Sequence, residues 1–226
     1  MENTSTLSIF SVATLFFLIF LTNADPYEYL LHVQHWQPAV CSNPRHRCVF
    51  SPQQRFSVHG VWHGNISNGK PVINCAGGSA FDPRQINPII NDLFIDWPDV
   101  IRTNHNWFWQ HEWDVHGRCS ESVFNQLAYF SLGRQKLRAF DILTILSNAG
   151  FVPFNQQVNA TLVAAAITSA IGRTPALRCS EIRGRPRNLR QLAEVVLCFD
   201  QTGQTLIDCP VSVHQCPTGA TVLFST

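Results

Sequence analysis

Two short segments carry the residues of this chain best suited to chemistry, Arg55-Phe56-Ser57-Val58-His59-Gly60-Val61-Trp62 and Phe108-Trp109-Gln110-His111-Glu112-Trp113-Asp114-Val115-His116-Gly117-Arg118-Cys119. Each sets histidine among aromatic residues, and the second places a glutamate four residues before its last histidine. Two imidazoles and a carboxylate in a partly apolar cleft can take a proton from one oxygen and deliver one to another. Histidine suits both tasks because its ordinary pKa of about 6.5 lies near neutrality. Either segment alone also reads as a satisfied core histidine in aromatic packing. Together, in a cysteine-rich chain, they read as an acid–base site.

On a helix turning about 100° per residue, Glu112 and His116 lie roughly 40° apart and share a face. His111 falls about 140° from His116, so the two cannot grip one ion. The run is one residue longer than the metalloprotease His-Glu-x-x-His motif, which excludes that class and leaves no metal site among these residues. His59, from a strand, would complete an acid–base pair across a cleft. Trp62, Phe108, Trp109 and Trp113 offer flat faces for core packing or for stacking bases.

The elements that must position these groups can be read from pattern. Tyr29 to Trp36 has strand character up to Pro38, and Gln54 to Val61 alternates, setting His59 on one face with Ser57 and Val61. Pro83 to Phe94 predicts a helix capped by Asp82 with proline at its first position. Trp107 to Cys119 predicts a helix that ends or breaks at Gly117. Ser122 to Phe140, Asp141 to Asn148 and Ala160 to Ile171 predict three more. Leu192 to Phe199 and Thr205 to Cys209 read as paired strands joined by a turn at Gln201 to Gln204. Strands and helices are segregated, which predicts an α+β fold with an antiparallel sheet flanked by helices.

Residues 1–24 read as a secretory signal peptide: Leu7 to Leu21 is almost wholly apolar and Ala24 ends a small-residue cleavage site. Residues 25–226 then form one domain without a membrane span, repeat or linker. The chain has 16 basic and 15 acidic side chains. That balance excludes the strong basic excess of a protein held to nucleic acid mainly by phosphates. Its 8 cysteines, in an oxidising compartment, predict disulfides rather than metal ligands. Asn65-Ile66-Ser67 and Asn159-Ala160-Thr161 are glycosylation acceptors. The arginines at 178, 183, 185, 187 and 190 read as solvated surface able to attract an acidic partner.

The two segments resemble the active-site signatures of the T2 family of ribonucleases, in its plant branch. The first family signature reads Phe-Thr-Ile-His-Gly-Leu-Trp-Pro and is matched by Phe56 to Trp62. The second reads His-Glu-Trp-x-Lys-His-Gly-Thr-Cys and is matched at His111, Glu112, Trp113, His116, Gly117 and Cys119. Gln34 to Cys41, Cys119 to Phe130, Leu177 to Cys179 and Thr205 to Cys209 extend the resemblance over essentially all of residues 25–226. It implies a secreted or vacuolar endoribonuclease, monomeric and without cofactor or metal, that cleaves single-stranded RNA through a 2′,3′-cyclic phosphate. By position, His116 is the general base and His59 the general acid, with Glu112 and His111 binding or polarising the phosphate. Base contacts fall on His35, Asp99, Val100 and Phe108, with Trp62 and Val115 also in the binding site. The resemblance further implies the pairs Cys41–Cys48, Cys75–Cys119, Cys179–Cys216 and Cys198–Cys209. The chain departs from the family at Val115, where the family has lysine, at His63 for proline, and at His35 and Asp99 for glutamine and asparagine. Val115 is the basis of an alternative reading: a catalytically weakened binding, defence or storage protein on the same scaffold. Arg118 is the candidate to supply the missing charge, unless it pairs with Asp114 at i, i+4.

Overall fold

Alternating apolar residues in two long strands build the centre of the molecule. The computed structural model describes residues 27–217 and 219–226. The segment read as a signal peptide, residues 1–24, lies outside them. Strand β1 (Tyr29–Trp36) runs between β2 (Phe56–Gly64) and β6 (Arg190–Asp200), antiparallel to both. The sheet continues outward from β2 to the short β3 (Pro71–Val72), and from β6 to β8 (Thr221–Phe224) and β4 (Gln156–Asn159). Strands β5 (Ala176–Glu181) and β7 (Leu206–Ile207) also pair with β6. Among the described residues, the parallel contact is Gln191 with Leu223; the other pairings are antiparallel.

The helices lie in the connections. They are α1 (Gln37–Ser42), α2 (Ile90–Asp96), α3 (His105–Val115), α4 (Gln126–Ala139), α5 (Ile142–Asn148) and α6 (Ala160–Ile171). Sequence-local signals set most ends. The Asn159 side chain accepts the first amides of α6, and Gly172 closes it at φ 76°. Asp141 caps α5 and Asn104 caps α3. Two helix starts differ from the sequence reading by four residues or more. Pro83–Ile89 forms a 3-10 segment because Pro88, inside it, lacks an amide hydrogen, and the α-helix begins only at Ile90. Helix α4 starts at Gln126 rather than Ser122, because Asn125 accepts the Ala128 amide as its cap.

One sheet face joins the helices in the main core, with Leu30, Trp36, Phe56, Val58 and Val61 packed with Trp97, Trp109, Trp113, Tyr129 and Phe130. The other face is a smaller apolar cluster of Tyr29, Leu31, Val33, Ala176, Val196 and Cys198, against which Trp62 packs. Buried Asp96, at the end of α2, ties that helix to α4 through Arg134 at 3.2 Å and Arg138 at 2.9 Å. Disulfides join Cys41 to Cys48, Cys75 to Cys119, Cys179 to Cys216 and Cys198 to Cys209. Among the described residues no helix is long and apolar enough to cross a membrane.

Candidate active site

His59 owes its position to a break in strand register. Val33 pairs with Gly60 and Gln34 with Val58, so His59 is the extra residue of a β-bulge. Strict alternation predicts Val61 on the face of His59. The bulge instead sends Val58 and Val61 into the same core and leaves His59 beside Trp62, their rings 5.0 Å apart. Side chains from the end of α2 and from α4 pin both sides of this irregularity: Trp97 Nε1 donates to the His59 carbonyl at 2.9 Å and Tyr129 Oη to that of Val61 at 2.8 Å.

The neighbouring strands set a polar row beside His59. His35 on β1 pairs with Glu194 on β6, which pairs with Arg178 on β5. His59 Nδ1 lies 2.5 Å from Glu194 Oε1, and the Arg178 guanidinium is 3.3 Å from the other carboxylate oxygen. Burial alone pushes the His59 pKa down; the Glu194 carboxylate more than reverses this, so it stands above its ordinary value. Burial raises the Glu194 carboxyl, but His59 and Arg178 overcome it and bring it to about 2. Neither Glu194 nor Arg178 was singled out for the site from sequence. The available signal was a lone carboxylate inside the apolar run Leu192 to Phe199. Arg178, grouped above with solvated arginines, is in fact mostly buried and sits over the Trp62 ring at 4.8 Å.

Helix α3 brings the second set. Glu112 is 2 % exposed and accepts a hydrogen bond from Trp62 Nε1 at 2.9 Å. Burial raises its carboxyl to about 7. Gly60 makes this approach possible, because a Cβ there would overlap both Trp62 Nε1 and Glu112 Oε2. His116 stands at the C-cap of α3, where the chain turns into the 3-10 segment Gly117–Ser120. Its ring stacks on Trp62 at 5.1 Å. Burial first, then the neighbouring His63, His59 and His111, lower its pKa to about 3. Cys119 ties this end of the helix to Cys75 in the loop after β2.

A cleft of about 260 Å³ opens beside these groups. Its wall includes His35, His59, Asp99, Val100, Phe108, His111, Glu112 and Glu194, so most sequence-selected positions meet here. Phe108 stacks on His59 at 6.1 Å. His35 is 5 % exposed, and burial lowers its pKa to about 3. Asp99 lines the wall, but its carboxylate is engaged by the amides of Ile101, Arg102 and Asn104 and serves to shape the loop. Trp62, Val115 and His116 are not part of this wall. Arg118 pairs with Asp114 at 2.8 Å and donates to the Ser79 carbonyl at 3.1 Å, so its charge is committed there.

The model of the Ribonuclease T2 family matches residues 27–209. The chain belongs to that family. Ribonuclease MC of Momordica charantia is 38% identical over 179 residues, covering 78% of this chain and 91% of that protein. Extracellular ribonuclease LE of Solanum lycopersicum is 32% identical over 197 residues, 84% of each. A variant of RNase MC1 crystallised in complex with 5′-GMP superposes with a TM-score of 0.77 at 36% identity, over 84% of this chain and 97% of that one. The α+β architecture with four disulfides is thus that of the T2 ribonucleases.

Proposed function

We propose that this T2-family endoribonuclease cleaves single-stranded RNA by transesterification, using His116 as general base and His59 as general acid. The observation that carries this reading is the opposite electrostatic setting of two imidazoles that share one tryptophan. His116, pushed down to about 3, is neutral at physiological pH and free to accept a proton. His59, held above its ordinary pKa beside Glu194, keeps a proton to give. In the reaction His116 takes the 2′-OH proton as the 2′ oxygen attacks phosphorus. The P–O5′ bond breaks and His59 protonates the departing 5′ oxygen, leaving a 2′,3′-cyclic phosphate. Water then opens the ring with the two roles reversed.

An anion in the site favours protonated imidazole, so bound phosphodiester raises the His116 pKa toward the range where a base works well. Glu112, with a carboxyl near 7, is partly protonated at neutrality and can donate to a phosphate oxygen. Arg178, over Trp62, supplies a positive charge close to the pair despite valine at 115. His35, Val100 and Phe108 are the wall against which a base would rest, and His111 borders the phosphate. The chain acts as a monomer without metal. Its leading apolar segment and its disulfides support passage through the secretory pathway to the outside or the vacuole, with glycans at Asn65 and Asn159.

The deciding experiment is cleavage of single-stranded RNA by wild type, His59→Ala and His116→Ala, with and without chelator. Wild type should give cyclic-phosphate ends in either condition, and each variant should lose nearly all turnover while melting close to the wild-type temperature. If His59→Ala keeps most of the rate, the assignment is wrong.

A further inference from the structure

The mouth of the cleft carries a construction that the catalytic reading leaves unused. The Arg102 guanidinium lies 4.6 Å over the Trp107 ring. That ring is 5.5 Å from His111 and 11° from parallel to it. All three side chains line the cleft that holds His59 and Glu112. Trp107 is 46% exposed, whereas Trp109 and Trp113 of the same helix are fully buried in the core. Its indole is therefore presented to the cleft rather than used for packing. Among the described residues Arg102 has no carboxylate within ion-pair distance. Its charge is held by an aromatic face alone and is free to meet an anion.

Resting on the ribonuclease reading above, we infer that Arg102 and Trp107 form a subsite for a third nucleotide of the RNA strand. This is the nucleotide next to the two that carry the scissile phosphodiester. Its base stacks on Trp107 in the place Arg102 occupies in the free protein, and Arg102 moves from the ring to the adjoining phosphate. Aromatic stacking beside a cation is the usual way single strands are held without sequence readout. Burial and the charge of His59 keep His111 below its ordinary pKa, so its ring supports Trp107 without repelling Arg102 at neutrality. The occupant is set by continuity with the cleft and by charge: the next phosphate of a bound strand must pass this rim.

The test compares a dinucleoside monophosphate with a tetranucleotide. Trp107→Ala and Arg102→Gln should each lower kcat/KM on the tetranucleotide by roughly tenfold and leave the shorter substrate unchanged. Trp107→Phe, which keeps an aromatic face, should retain most of the tetranucleotide rate. Binding of a tetranucleotide with 2′-deoxyribose at the scissile position, measured by calorimetry, should weaken in parallel without any cleavage. Equal losses on both substrates, no loss on either, or a Phe variant as poor as Ala would overturn the subsite. If wild type cleaves neither substrate while the Trp107 variants still bind the deoxy analogue less tightly, the catalytic reading fails and the subsite stands.

Discussion

His59 and His116 have the same side chain and the same tryptophan neighbour, yet their pKa values move in opposite directions because Glu194 contacts one and not the other. This makes Glu194 a positioning residue with a specific readout. In Glu194→Gln the burial of His59 is opposed only by the weaker influence of the Glu112 carboxylate, so its pKa should fall. The alkaline limb of kcat/KM should then move to lower pH, and activity at pH 7 should drop roughly tenfold for each unit by which the new pKa lies below 7. The acid limb, which the proposed roles give to His116, should stay in place. An alkaline limb that does not move would remove Glu194 from this role. Arg118 gives the opposite expectation. Its guanidinium is committed to Asp114 and to the Ser79 carbonyl, so Arg118→Ala should leave turnover on RNA within twofold of wild type. The loss in stability should be a few tenths of a kcal/mol, as for a surface i, i+4 pair.

At the scale of elements, the site depends on the bulge in β2 as much as on the residues within it. Gly60 lets the strand pass close to both Trp62 and Glu112, and a methyl group there must displace one of them. Gly60→Ala should cost about 1–3 kcal/mol as overpacking. It should also lower kcat with little change in KM for a dinucleoside phosphate, because Glu112 leaves its place. Thermal melts and steady-state kinetics on one preparation check both effects. The strand and the helix on either side of this contact were legible in the sequence, and so was the pairing of β6 with β7, since local alternation, caps and turns specify them. The bulge was not, because it is defined only by the register against β1. Glu194 was missed for a related reason: its significance comes from pairing with His35 and Arg178, residues far away along the chain. The short strands β4 and β8 carry little pattern of their own and exist through each other. His59, Glu112 and His116 could be named as candidates because two histidine-bearing aromatic segments occur together in one chain, and their roles came from the resemblance to the two T2 signatures.

For the molecule as a whole, the buried histidines make stability depend on pH in a direction that can be worked out. Burial holds His35, His63 and His116 at about 3 and His32 at about 4. Above pH 6.5 these rings are neutral in both the folded and unfolded chain and contribute no slope. As pH falls from 6.5 toward 3, the unfolded chain binds protons that the folded chain cannot, so stability declines. Glu194, held at about 2, acts in the same sense: its contribution is present above its ordinary pKa of 4.5 and is lost as pH falls toward 2. His59 runs the other way, stabilising below 6.5 and ceasing to as pH rises through its elevated folded value. Glu112 adds to that trend, because the unfolded chain ionises above 4.5 while the folded carboxyl waits until about 7. His63 isolates the acid-sensitive part. It is fully buried against Tyr27 at 4.5 Å, has no hydrogen-bond partner on either nitrogen, and lies outside the cleft wall. In His63→Phe the difference in melting temperature between pH 7 and pH 4 should shrink, because one proton fewer is taken up on unfolding in that interval. Any strain from the larger ring affects both pH values alike and cancels in the difference. A gap as wide as that of wild type would mean that His63 is protonated in the folded protein, and that its burial does not set the acid response.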